Sequence, residues 1–168
     1  MQQAQPRLAA QETMDALVRP ILQDVHLDPC ADPDAPSPAL QRLTGLEGPT
    51  SDGLNARWSA VGRNVWLFPP NRREELHGHS LDNWVAKAYR EFNRGATVLA
   101  LLPQRLTSAW FFDFVCRGSA FTIVRHDYAV TGGATPGQLL TLWTKDPETM
   151  DRYLSTVADN GITVNLGL

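Results

Sequence analysis

The stretch "ATVLALLP", residues 96–103, decides how this chain folds. Between Ala96 and Leu102 only Thr97 is polar, so the run has no face to show to water. A strand that is apolar on both sides belongs inside a sheet with both faces covered, the usual situation in parallel sheets. The run is too short for an ordinary helix. Pro103 ends it, because proline cannot donate to a ladder. Upstream, "SLDNWVAKAYREFNR" (80–94) predicts a helix with Leu81, Trp84, Val85, Ala88, Tyr89 and Phe92 on one face. Ser80 serves as its cap, Asp82 lies in its first turn, Arg90 and Arg94 lie near its end, and Gly95 stops it. Downstream, "SAWFFDFVCRG" (108–118) predicts a second helix, capped by Ser108 and ended by Gly118, with Trp110, Phe111 and Phe114 toward the sheet.

Further out, "NVWLF" (64–68) is a short apolar strand that runs into Pro69-Pro70. "VHLDP" (25–29) is another short strand, ending at Asp28. "AFTIVRH" (120–126) and "LLTLWT" (139–144) read as strands around a glycine-rich loop. Asp146-Pro147 opens a last helix through Val157, and "ITVNL" (162–166) reads as a last strand. Residues 8–24 have helical spacing with a break at Pro20, and residues 30–41 form a proline-rich irregular connection. Alternation of strand and helix predicts a single α/β domain over residues 1–168, with a mostly parallel sheet and flanking helices. Residues 96–102 are expected at its centre, between the strands ending at Asp28 and Phe68. Ligands of open α/β sheets sit at the carboxyl ends of the strands. Asp28, the Phe68-Pro69-Pro70 corner and Pro103 therefore mark the candidate site.

The composition narrows the function. The chain has 168 residues, 43% hydrophobic and 20% charged, which suits one soluble core. No stretch approaches the roughly 18 apolar residues of a membrane span. The N-terminal "MQQAQPRLAAQETMDAL" lacks the basic start and apolar centre of a secretory signal. Cys30 and Cys116 are far apart and fit no metal pattern, so a reducing cytoplasm is expected. A net charge of −3 argues against a broadly basic nucleic-acid binder but leaves room for a local patch. Of 15 cations only Lys87 and Lys145 are lysine, and arginine is the better fork for phosphate. Arg72-Arg73 is the candidate DNA contact, although Glu74-Glu75 cancels its charge locally. His77 and His79 lack the further ligands a metal needs and read as solvated loop residues. His126-Asp127 has no nucleophile to serve and reads as a loop pair.

Three segments in order carry a resemblance: "LDPCAD" (27–32), "DGLNARWSAVGRNVWLFPP" (52–70) and "WVAKAYREFNRGATVLALLP" (84–103). Together they resemble the phage-type, Dam-like DNA adenine-N6 methyltransferases over roughly residues 25–144. Residues 146–168 are an additional helix and strand. The resemblance implies a shortened Rossmann-like methyltransferase fold from a bacteriophage or mobile element, working in the bacterial cytoplasm. It implies S-adenosylmethionine beside Asp28 and Asp52, and DNA as partner. It also implies a catalytic corner at Phe68, Pro69, Pro70 and Asn71, where the family has Asn-Pro-Pro-Tyr.

At that corner the sequence departs from the family. Adenine N6 is a poor nucleophile, since its lone pair is delocalised into the ring. The family's Asn side chain and the next proline carbonyl accept hydrogen bonds from the amine, and the Tyr stacks on the flipped base. Here Phe68 replaces the acceptor and cannot accept a hydrogen bond. Asn71 replaces the stacking ring, and Asn64 is too far back to substitute. Loss of one preorganised hydrogen-bonding group costs about two to three orders of magnitude in rate. The first loop also lacks a glycine turn that could bind an anion. Two function classes follow. One is a non-catalytic descendant that binds DNA or a host or phage protein, as a regulator or counter-defence module. The other is an active methyltransferase with a divergent motif.

Overall fold

A computed structural model of the protein describes residues 14–34, 37–61, 63–69, 79–125 and 137–167. Its strands are β1 (Leu27–Asp28), β2 (Gln41–Arg42), β3 (Asn64–Leu67), β4 (Thr97–Pro103), β5 (Ala120–Val124), β6 (Gln138–Trp143) and β7 (Gly161–Asn165). Its helices are α1 (Arg19–Leu22), α2 (Trp58–Val61), α3 (Leu81–Asn93) and α4 (Pro147–Val157). The strands form one mixed sheet in the order β2-β1-β3-β4-β6-β5-β7. Pairing is parallel from β2 to β4 and antiparallel from β4 to β7. It is an α/β sheet whose parallel half and centre match the expectation, with an antiparallel half added.

β4 is central and buried along its length until Pro103. Strand side chains alternate between faces. Val98, Ala100 and Leu102 therefore meet Leu81, Trp84, Val85 and Ala88 of α3 in one core cluster. Leu99 and Leu101 meet Met14, Leu17, Ile21, Met150 and Tyr153 in the cluster on the other face. Full burial of one such aliphatic side chain is worth about 1.5–3 kcal/mol. The two-sided apolar run is what fixes β4 in the middle.

Several expectations are corrected. β4's second neighbour is β6, paired over six register positions, while β1 lies beyond β3. β1 is two residues long and shares one register pair with β3, Leu27 with Val65, whereas β6 offers β4 a strand of matching length. Pro20 does not break the first helical segment. It sits where a π-helical turn, Met14–Val18, runs directly into α1, and the helix ends instead at Gln23 with φ 62°. The predicted helix at 108–118 contains a π-helical turn, Phe111–Val115. Trp110 and Phe111 are buried there as expected, Phe114 is half-buried, and Phe112 faces solvent. Neither Ser80 nor Ser108 caps through its side chain, and the Ser108 hydroxyl donates back to the Arg105 carbonyl. The Asp146 cap is real, for its carboxylate accepts from the Glu148 and Thr149 N–H groups.

Candidate functional site

The candidate site lies at the carboxyl ends of β1 and β3. Asp28 closes β1 between β2 and β3. The connection after it folds back so that Leu43 N–H donates to the Asp28 carbonyl at 2.9 Å and Ala31 N–H donates to the Leu43 carbonyl at 3.0 Å. This return makes β2 and carries Ser37 over Asp28. Asp28 is 6% exposed. One oxygen accepts from Cys30 N–H at 3.2 Å and the other from the Ser37 hydroxyl at 2.8 Å. The acid that the resemblance assigns to the cofactor is therefore engaged by its own loop.

Asp52 is also engaged. Its Oδ1 accepts from Leu54 N–H at 2.9 Å in an Asx turn, and its Oδ2 accepts from the Asn55 amide at 2.8 Å. His79 Nε2 lies 3.4 Å from the same Oδ2, with its ring edge-on to Trp84. Two-thirds of the His79 side chain is covered, so it is not the solvated loop residue expected. The loops of Asp28 and Asp52 touch: a Cβ on Gly53 would stand 1.8 Å from the Pro29 carbonyl oxygen. Only glycine permits that approach. The Gly53 carbonyl in turn accepts from the fully buried Trp58 indole at 2.7 Å.

Behind Trp58 stands a cluster that the sequence reading missed. Glu91 of α3 is fully buried. Its Oε1 meets Lys87 Nζ and Arg94 Nη1, each at 2.9 Å, and its Oε2 accepts from Ser59 N–H at 3.2 Å. Burial pushes the Glu91 carboxyl up, but the hydrogen bonds and charge of Lys87, with those of Ser59 and Arg94, outweigh it and hold the group below its ordinary range. Lys87, itself buried, lies 5.8 Å from the Trp58 ring centre. Trp84, Ala88 and Glu91 stand at i, i+4 and i+7 on the helix. That placement on the apolar face was the available signal. The cluster ties α3 to α2, and through Trp58 to the Asp52 loop.

At the corner itself, Phe68 is half-buried and turns toward the second core cluster, its ring 6.4 Å from that of Trp66. Pro69 is buried. Pro70, Asn71, Arg72, Arg73 and His77 lie outside the described residues, as do His126 and Asp127. Asn64 sits at the opposite end of β3, where its amide donates to the Leu22 and Asp24 carbonyls at 2.9 Å each. It anchors the end of α1 and has no access to the corner. Among the described residues no group of three or more His, Cys, Asp or Glu could hold a metal ion. Among them, too, no helix is long and apolar enough to cross a membrane. A crevice of about 380 Å³ opens at the opposite end of the strands, where β3 and β4 begin, bordered by His26, Arg63, Lys145, Glu148 and Arg152.

Compared with known proteins, the chain matches no family model, no curated protein and no solved structure.

Proposed function

We propose that this chain is a non-catalytic descendant of the phage-type DNA adenine-N6 methyltransferases, serving as a binding or regulatory module for DNA or for a host or phage protein. In this reading it works in the cytoplasm of a bacterial host, within a shortened Rossmann-like frame. The observation that carries the reading is the Asp28 carboxylate, closed by Cys30 N–H and the Ser37 hydroxyl at the cofactor position. S-adenosylmethionine would have to open this buried loop before it could reach the acid. Phe68 adds to this, since a ring turned into the core offers no acceptor to an adenine amine.

A second reading, an active adenine-N6 methyltransferase, is favoured by one observation: the Asp28 and Asp52 loops remain in contact through Gly53 and Pro29. Two measurements separate the readings. Calorimetric titration with S-adenosylmethionine is expected to give no binding heat. Radiolabelled cofactor with mixed-sequence duplex DNA is expected to give no transfer to adenine. Methyl transfer that disappears in Asp28→Ala would overturn the non-catalytic reading and establish the enzyme.

A further inference from the structure

The two edges of the sheet differ. At one end β2 has two residues, and its Arg42 guanidinium donates to the Asp32 carbonyl. At the other end β7 has five residues, Gly161–Asn165, with no element paired on its outer side among the described residues. Residues 161–167, "GITVNLG", contain no charge and no proline. Sheet edges of soluble proteins are ordinarily blunted by charge, proline, a bulge or a cover, because an unpaired edge is a template for another strand. β7 has none of the sequence devices. We propose that this edge is a homodimer interface in which β7 pairs antiparallel with β7 of a second copy, about a two-fold axis through Thr163.

The register follows from the ladder already present. Arg125 N–H donates to the Asn160 carbonyl, and Leu166 N–H donates to the Ser119 carbonyl, both at 2.9 Å. In an antiparallel pair, hydrogen-bonded positions alternate. Ile162 and Val164, which oppose Ile123 and Phe121, therefore direct their backbone groups to β5. Gly161, Thr163 and Asn165 direct theirs outward. A two-fold axis through Thr163 sets Thr163 against itself and Gly161 against Asn165 of the other copy. Every outward N–H and C=O then finds a partner, giving roughly six ladder hydrogen bonds.

The same register sets Ile162 opposite Val164 of the second copy on one face. Ile162 is 69% exposed and Val164 is half-buried, so pairing covers apolar surface that one copy leaves in water. A two-fold interface is isologous, and any charge near its axis faces its own like. The uncharged strand satisfies that condition, and this selects a second copy over a partner of opposite charge. The β2 edge, with Arg42, does not satisfy it.

Sedimentation equilibrium of the purified chain, from low to high micromolar concentration, is expected to show a species of twice the 18.6 kDa chain mass. Ile162→Lys is expected to leave the circular dichroism spectrum unchanged, to give the monomer, and to abolish the dependence of melting on protein concentration that a dimer shows. Cross-linking tests the register. Non-hydrogen-bonded antiparallel partners lie about 4.5 Å apart at Cα, within disulfide reach. In a Cys116→Ser background, Ile162→Cys with Val164→Cys is expected to give a covalent dimer on oxidation, while neither single change does. A monomer at every concentration, or a dimer that Ile162→Lys leaves intact, would overturn the proposal. Open-ended assembly, or efficient cross-linking by a single cysteine variant, would overturn the two-fold register.

Discussion

The parallel and antiparallel halves of the sheet are held by different means. β2, β1 and β3 have two, two and four residues, so backbone pairing contributes little there. Side chains bonded to loops hold that half instead: Asp28 to Ser37, Asp52 to Asn55, Glu91 to Ser59. β6, β5 and β7 have six, five and five residues and pair along their lengths. Their polar contacts are internal to the core. Tyr153 donates to the Leu140 carbonyl at 2.8 Å, and Thr122 Oγ1 lies 2.7 Å from the Tyr153 hydroxyl and 2.9 Å from that of Thr163. The family-like motifs all lie in the half with the weaker backbone pairing and in β4. The loop that closes over Asp28 belongs to that half, at β1 and β2, away from the antiparallel strands.

The largest test of this contrast is Trp84→Ala. Trp84 is fully buried between α3 and β4, where the two halves meet. Truncating a core aromatic costs about 3–5 kcal/mol. Chemical denaturation should show that loss as one transition, since both halves share β4. Two separated transitions would show that the halves are independent and break the comparison.

Glu91→Gln strikes the parallel half alone. It removes the acceptor charge that buried Lys87 faces, and breaking one side of a buried pair costs about 3 kcal/mol or somewhat more. The pH dependence has a definite sign. A carboxyl held below its ordinary value in the folded state stabilises the fold above the unfolded glutamate pKa of about 4.3. That contribution is lost as pH falls from there through the lowered folded value. Glu91→Gln should therefore flatten the acid limb of the stability curve. An acid limb with unchanged slope would remove Glu91 from the account.

These residues also show what the sequence made legible. β4 and α3 could be read because burial on two faces and burial on one face leave different periods. β6 could be read as a strand, but not as β4's partner, because pairing across residues 104–137, with β5 between, is no local property. β2 was invisible, being two polar residues whose strand character comes only from the chain folding back on β1. Glu91 was not singled out, since a charge on a helix ordinarily faces water. Asp28 was recognisable as a strand end. The fate of its carboxylate depends on Ser37, nine residues on, in a stretch that reads as irregular.

Tyr153→Phe is the matching test of the antiparallel half. The hydroxyl is buried, burial raises its pKa, and its removal takes away the bond to Leu140 while Thr122 keeps Thr163. A loss of about 1–2 kcal/mol is expected, less than for Glu91, because no buried charge is stranded. A cost above that of Glu91→Gln would mean that the hydroxyl row, rather than the ion cluster, is the more critical polar element.

The smallest effect is expected at Asp146, where the antiparallel half leads into α4. Its carboxylate caps Glu148 and Thr149 N–H and accepts from the Thr149 hydroxyl. The Thr149 hydroxyl bond, ahead of the opposing effect of burial, holds its pKa below the ordinary aspartate value, and the two N–H groups and Arg152 add to this. Removing an N-cap costs about 1 kcal/mol. Asp146→Ala should lower stability by that amount near neutral pH, and the difference from the native chain should shrink as pH falls below about 3.9. The two should converge once Asp146 itself is protonated, since a neutral carboxyl no longer offers the same charged acceptor. The change should be local. Amide exchange should quicken in the first turn of α4 and leave α3 and the Asp28 loop as they were, because the bonds of Asp146 go to Thr144, the first turn of α4 and Arg152. Faster exchange at Ser37 or Cys30 would show that the two halves communicate through β4, and the closure over Asp28 would then depend on the scaffold that the comparison treats as separate.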